Sequence, residues 1–477
     1  MKPTRLKSFV LVIILIAATG AAMAYSAGFG KSWLSGLITG PGANISLIGS
    51  GPVTLNGRLV QHKVLQGSDG RVHLALTLQA DERFASQSSE ARNVDMVIVL
   101  DRSGSMKGRK INDARQAVLH LLSGLTAKDR FALVTYSDGV QQISGLNYVT
   151  ADQDKQLKAL VSGIRAGGGT NLGDGLQTGI NVMLAAHENG NARKLILISD
   201  GLANKGITDS TRLGQMAGVA VEKEFAVSTV GVGNDFNEQL MTTIADRGAG
   251  NYYYLENPLA FAEVFQKEFF YSRATVATNV SLFFPLENGI SIADAAGYPI
   301  TVKKNRAVFF PGDMRAGQTR KLFLTLQVPT GETKSFEISG IKARYRFNGQ
   351  TMETGLDGSY LIACVKDPRE VQASIDKTSW TEKVIREDYN RLKQEVAADI
   401  KAGKKHKALG RIHSYYREQE SINAAVGSAE VAQNLDRDLK DLQQRVEDTF
   451  EGAPAAVSRK QKANSKALQY EGYQGRR

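Results

Sequence analysis

The sequence predicts an α/β domain with a doubly wound, mostly parallel sheet over residues 93–271. The domain is expected to be inserted in a β-sandwich and followed by a C-terminal helical region. Three observations predict this. Between residues 93 and 271, apolar runs of strand length alternate with amphipathic stretches of helical period, the pattern of a parallel sheet covered on both faces. On either side of that stretch, segments alternate apolar and polar residues with the period of two expected of half-buried strands. Beyond residue 377 the helical period returns in a highly charged background.

In chain order, residues 1–24 read as an export signal or a retained anchor. Lys2, Arg5 and Lys7 precede an apolar stretch over residues 9–19, and Ala22-Met23-Ala24 supplies a small-x-small cleavage pattern. The apolar segment is at the short limit for a membrane span, so cleavage before Tyr25 is the expectation. Residues 25–51 read as a linker rich in Gly, Ser and Pro. Residues 71–79, RVHLALTLQ, put Val72, Leu74, Leu76 and Leu78 on one side, and the turn QGSDG before them suggests a hairpin with residues 59–65.

Within the α/β stretch, strands are expected at 96–100, 130–136, 194–199, 225–232 and 251–255. Helices are expected at 111–125, 152–165, 173–186, 210–224, 238–247 and 258–271. After residue 272 the helical period stops, and strands are expected at 277–284, 300–302, 307–310, 321–328, 334–341 and 343–347. These are a strand or two short of a sandwich, and the hairpin before residue 92 can supply them. The sandwich is therefore assigned to residues 52–92 plus 272–367, with the chain leaving it near Arg92 and returning near Ser272. Residues 377–451 read as a helical hairpin or small bundle. Residues 453–477, low in hydrophobic content, read as a disordered basic tail.

The formal charge of +11 is uneven. Three positive charges lie in the first seven residues and a net five follow Gly452, which leaves only +3 for the middle of the chain. A nucleic-acid binder concentrates basic residues on its folded surface, so nucleic acid is not an expected partner. Cys364 is the single cysteine, which excludes an intramolecular disulfide and a thiolate metal cluster. Within YLIACV it reads as a small buried hydrophobe.

The chemistry gathers in DMVIVLDRSGSM, residues 95–106. An apolar run ends in a polar loop that carries Asp101, Ser103 and Ser105, at the carboxyl end of a buried strand, where open α/β sheets place ligands. A glycine-rich loop before a helix offers Thr170 in GGGTNLGDG. ISDG, after the strand KLILIS, places Asp200 on the same rim if the strands are parallel. One carboxylate and two hydroxyls, joined by another of each, make a set of hard oxygen donors. Such a set suits Mg²⁺, Mn²⁺ or Ca²⁺. With two carboxylates, a divalent ion keeps an open position that favours an acidic group from elsewhere.

The combination DRSGS, GGGT and ISDG resembles the von Willebrand factor type A domain with its metal-ion-dependent adhesion site. The resemblance spans residues 93–271. It implies that Ser103 and Ser105 contact the metal directly, and that Asp101 and Asp200 act largely through water. It also implies that Thr170 joins the ion in the ligand-competent state, and that a partner's Asp or Glu completes the octahedron. The flanking regions resemble bacterial exported proteins of this superfamily, similar to calcium-activated chloride channel proteins or inter-alpha-trypsin inhibitor heavy chains. A channel is not expected, because the sequence offers no membrane-spanning bundle.

Catalysis is not expected either. No HExxH, GxxxxGK[ST] or GxSxG occurs, and the six histidines lack ligand spacing. The expectation is a metal-dependent protein-binding module of the cell envelope, in the periplasm or at the cell surface, with Mg²⁺ the foremost cation. Its partner would be a protein supplying an Asp or Glu carboxylate, and the N-terminal segment would allow membrane association. Two alternatives stand beside it: an envelope scaffold whose cation is structural and whose helical tail makes the main contact, and a metal-dependent hydrolase.

Overall fold

The computed structural model describes residues 45–47, 51–85, 93–187, 190–257 and 260–476. The expected export segment, most of the linker and the crossing near Arg92 lie outside the described residues.

The central sheet is built from β1 (Val94–Asp101), β2 (Arg130–Tyr136), β3 (Val140–Gln142), β4 (Ala192–Ser199), β5 (Ala226–Val232) and β6 (Ala249–Leu255). Its order is β6-β5-β4-β1-β2-β3. Every neighbouring pair is parallel except at the edge, where β2 pairs antiparallel with both β3 and Asn147–Tyr148. The helices are α1 (Arg109–Gly124), α2 (Ala151–Gly163), α3 (Leu172–Ala185), α4 (Ser210–Glu222), α5 (Glu238–Arg247) and α6 (Phe261–Arg273).

The unbroken apolar run of β1 follows from burial on both faces. Met96, Ile98 and Leu100 pack with Val118, Val161 and Phe265 of α1, α2 and α6. Val97 and Val99 pack with Leu176, Leu213 and Ile244 of α3, α4 and α5. Side-chain caps fix where the helices begin: Thr150, Asn171, Asp209 and Asn237 each accept a bond from a backbone N–H of the first turn of α2, α3, α4 and α5. Helix α3 lies close on the sheet because Gly179 leaves room, and a Cβ there would stand 2.4 Å from Val99.

Asp129 joins the two ends of this unit. Fully buried, it accepts the Val94 N–H at 2.8 Å where β1 begins and the Arg273 guanidinium at 2.7 Å where α6 ends. Both ends therefore meet at the amino-terminal rim of the sheet.

Two antiparallel sheets share a second core. One runs Ile45–Leu47, Val53–Leu59, Arg71–Ala80, Thr319–Gln327, Ser291–Ala295. The other runs Thr301–Lys303, Arg306–Phe309, Thr275–Pro285, Lys342–Phe347, Gln350–Gly355, with Met314–Arg315 paired to Thr275–Pro285. Leu74, Leu78, Leu322 and Leu326 of the first meet Leu282, Phe284, Phe309 and Tyr345 around that core. Strands from both sides of the central unit thus lie in one sheet. The hairpin partner of Arg71–Ala80 is Val53–Leu59, not residues 59–65. Gly57 interrupts the apolar pattern there because the Tyr360 hydroxyl and Leu356 fill the place of its side chain. Lys63–Leu65 leaves this sheet and runs parallel to Ser359–Val365.

The C-terminal region packs on the outer face of the first sheet, where Val60, Ala75 and Phe323 meet Trp380 and Val384. Its main helices are α7 (Tyr389–Lys401), α8 (Lys405–Val426), α9 (Leu439–Thr449) and α10 (Pro454–Arg476). The expected disordered tail is corrected: residues 454–476 form α10. Its few apolar residues are divided between two neighbours, so no single stripe marks them in the sequence. Leu468 packs into the helical cluster, whereas Tyr470 and Tyr473 stand edge-on to Tyr252 of β6, with centroids at 5.7 and 5.4 Å. Three of its basic residues are also paired with acids: Lys466 with Glu238, Lys462 with Asp235 and Arg476 with Glu387. Among the described residues no helix is long and apolar enough to cross a membrane.

Candidate metal centre

At the carboxyl rim of the central sheet, β1 ends on Asp101 and β4 ends on Ser199, next to Asp200. Asp101 and Asp200 are fully buried, Ser103 and Thr170 nearly so, and Ser105 is exposed. The Ser103 N–H donates to Asp101 Oδ1 at 2.7 Å. Ser199, which the sequence reading passed over, donates its hydroxyl to Asp101 Oδ2 at 3.0 Å. Burial pushes the Asp101 carboxyl up to about 6, against the pull of the Ser103 hydrogen bonds, and nearby Asp200 adds to the rise.

The two loops interlock. Ser103 Oγ and Ser105 Oγ are 3.0 Å apart, and Ser105 Oγ donates to Asp200 Oδ1 at 2.7 Å. The Thr170 and Ser105 hydroxyls both border Gly201, at 3.6 and 3.2 Å from where a Cβ would stand. The five side chains singled out from the sequence therefore converge on one rim. Four are joined by direct hydrogen bonds, and Thr170 lies beside them.

The glycine loop is clasped from two sides. Gly168 O accepts the Gly104 N–H at 2.9 Å, and Gly167 N–H donates to Arg102 O at 2.7 Å. Thr170 N–H donates to Asn204 Oδ1 at 2.9 Å, and Asn204 N–H returns to Thr170 O at 3.1 Å. Asp138 accepts the Gly169 N–H at 3.0 Å and pairs with Lys205. Gly168 needs its positive φ of 83°, and a Cβ there would collide with Asp138 Oδ2 at 2.2 Å.

Lys110 was also missed. Its ammonium lies 2.6 Å from Asp200 Oδ2. The signal was present in the sequence: α1 opens with Arg109 and Lys110 and has no acid in its first turn, where the helix dipole favours acids.

A parallel sheet wrapped by helices, with a DxSxS loop at its carboxyl rim, defines the von Willebrand factor type A class of domain. Residues 95–267 match the family model for the von Willebrand factor type A domain, and the chain carries that domain. Over most of its length the chain is similar to the solved von Willebrand factor type A protein from Catenulispora acidiphila (18% identity, TM-score 0.64, 90% of this chain and 98% of that one). It is also similar to the ArnB paralog VWA2 from Sulfolobus acidocaldarius (16% identity, TM-score 0.53, 88% and 99%). At these identities the likeness is one of fold. Curated relatives include the uncharacterized protein YfbK of Escherichia coli (strain K12), 30% identical over 219 residues, or 45% of this chain and 36% of that protein. Inter-alpha-trypsin inhibitor heavy chain H3 of Rattus norvegicus is 28% identical over 226 residues, or 45% and 25%. The chain thus spans about a third or a quarter of the length of these relatives. Domains of this class commonly mediate protein–protein interaction.

Proposed function

We propose that the chain is a metal-dependent protein-binding module, in which Asp101, Ser103, Ser105, Thr170 and Asp200 hold a divalent cation that captures an Asp or Glu of a partner protein. The observation that carries this reading is the convergence of five oxygen-bearing side chains, from three separate loops, on one rim.

The donor set fits a hard cation, since all its side-chain donor atoms are oxygens and two are carboxylates. The Ser103–Ser105 and Ser105–Asp200 oxygen separations of 3.0 and 2.7 Å are close to those of neighbouring ligands around octahedral Mg²⁺, whose bonds are about 2.0–2.1 Å long. Mg²⁺ is the foremost cation of this reading, with Mn²⁺ or Ca²⁺ as alternatives. Lys110 offsets part of the charge of Asp200. A divalent ion here therefore keeps net positive charge toward an incoming carboxylate. The reading gives the chain no catalytic role. Its place at the cell envelope rests on the export signal read in residues 1–24.

The test is retention of a partner from envelope extract on the immobilised chain, with Mg²⁺ or with a chelator, for the wild type and Asp101→Ala. Circular dichroism checks that the variant folds. The expected result is a partner retained only by the wild type in Mg²⁺. Equal retention in chelator, or by Asp101→Ala, would overturn capture through the metal and favour a scaffold that makes contact through its helices.

A further inference from the structure

The rim around the candidate cation is chemically uneven. Lys107 follows Ser105 by two residues, is exposed, and has no anionic partner among the described residues. Arg109 pairs with Asp113, Lys110 with Asp200 and Lys205 with Asp138, and Arg102, within the DxSxS loop, adds a further positive charge whose Nε has no hydrogen-bond partner among the described residues. The positive end of α1 adds to the charge on this side, because no acid in its first turn offsets it. From another loop, Leu202 follows Gly201, where a Cβ would stand 3.2 Å from the Ser105 hydroxyl and 3.6 Å from that of Thr170, and it is 59% exposed. A single exposed leucine is ordinary on a protein surface. This one stands next to the residue that borders both hydroxyls of the site.

We propose that this rim selects an acidic, partly apolar segment of a partner protein. The captured Asp or Glu is accompanied by a second acidic residue that meets Lys107 and by an apolar residue that covers Leu202. The inference rests on the metal-dependent reading above and names the class of its partner. Charge complementarity carries the first half: Lys107, Arg102 and the helix end present positive potential beside the ion, and rim charges of this kind steer association and set its salt dependence. Water exclusion carries the second half, because an apolar side chain over Leu202 shields the neighbouring metal–carboxylate contact and strengthens it.

The experiment uses the full chain and short fluorescent peptides, read by fluorescence polarisation in Mg²⁺ and in chelator. The peptides carry Leu-Asp-Glu, Leu-Asp-Lys or Ser-Asp-Glu at their centre. In Mg²⁺ the first should bind at least about fivefold more tightly than either of the others, a difference of about 1 kcal/mol. Lys107→Glu should reverse the preference between Glu and Lys. Leu202→Ser should remove the preference for Leu and leave the other intact. Calorimetric Mg²⁺ affinity, unchanged in both variants, shows that they keep the site.

Mg²⁺-dependent binding that ignores both flanks, or preferences untouched by the two variants, would overturn this inference alone. Absence of any Mg²⁺-dependent binding would overturn the capture reading together with it. Tighter binding of the lysine-flanked peptide by the wild type would reverse the assigned charge preference.

Discussion

Gly201→Val tests the candidate site without touching any of its five side chains. A Cβ at Gly201 would stand 3.2 Å from Ser105 Oγ and 3.6 Å from Thr170 Oγ1. Valine adds two methyls about 1.5 Å beyond that point. At least one of them intrudes between the hydroxyls and pushes them apart. An ion present at a hundred times its dissociation constant stabilises the folded state by about 2.7 kcal/mol. In a unit of 150–250 residues each kcal/mol moves the melting midpoint by about 2–4 °C, so saturating Mg²⁺ should raise the wild-type midpoint by about 5–11 °C. Gly201→Val should lose that rise. Gly201→Ala should keep part of it, because Ser105 can rotate away from a lone Cβ. The assay is differential scanning calorimetry of the full chain, with Mg²⁺ and with chelator, following the transition of the central unit. A full Mg²⁺-dependent rise in the valine variant would place the ion elsewhere and refute the reasoning.

Two further predictions concern the frame around the site. Lys466→Met should destabilise the docking of α10 by about 2–3 kcal/mol in urea denaturation. That lies at or below the low end for a broken buried pair, since Glu238 keeps Lys401 while the Phe236 carbonyl loses its ammonium donor. Combined with Glu238→Gln the loss should be less than additive, and additive losses would mean that the two side chains do not interact. His73 supplies a pH dependence: burial, followed by the charges of Lys383, Arg391 and Arg71, holds its imidazole well below the ordinary 6.5. The folded state keeps the ring neutral while the unfolded state takes up a proton below pH 6.5. Stability from this group is therefore full above pH 6.5 and falls as the pH drops below it. Melting curves of His73→Gln should flatten relative to the wild type between pH 6.5 and 5, and parallel curves would show that another group controls that range.

Legibility in the sequence followed burial. β1, β2, β4 and β5 are covered on both faces and stand out as apolar runs, and α5 begins and ends where its period and its Asn237 cap place it. Ser291–Ala295 and Gln350–Gly355 went unread because they are edge strands with few buried side chains and carry no apolar alternation. Helix α10 was hidden for a different reason: its partners are remote in sequence, so its lysines read as solvated charge when Glu238 and Asp235 in fact meet them. The same division holds at the site. Asp101, Ser103, Ser105, Thr170 and Asp200 form a spaced motif and can be read in sequence order. Ser199 and Asn204 act across loops, and their parts emerge only once β1 and β4 lie side by side.

Asp129 ties both ends of the central unit at one pole, and the candidate site occupies the other. A force applied to a captured partner would therefore run lengthwise down β1 and β4. It would load the hydrogen bonds of the whole ladder at once in shear instead of peeling them one after another. On the capture reading, a pull on the partner would be borne along the strands, toward a tether buried at the base.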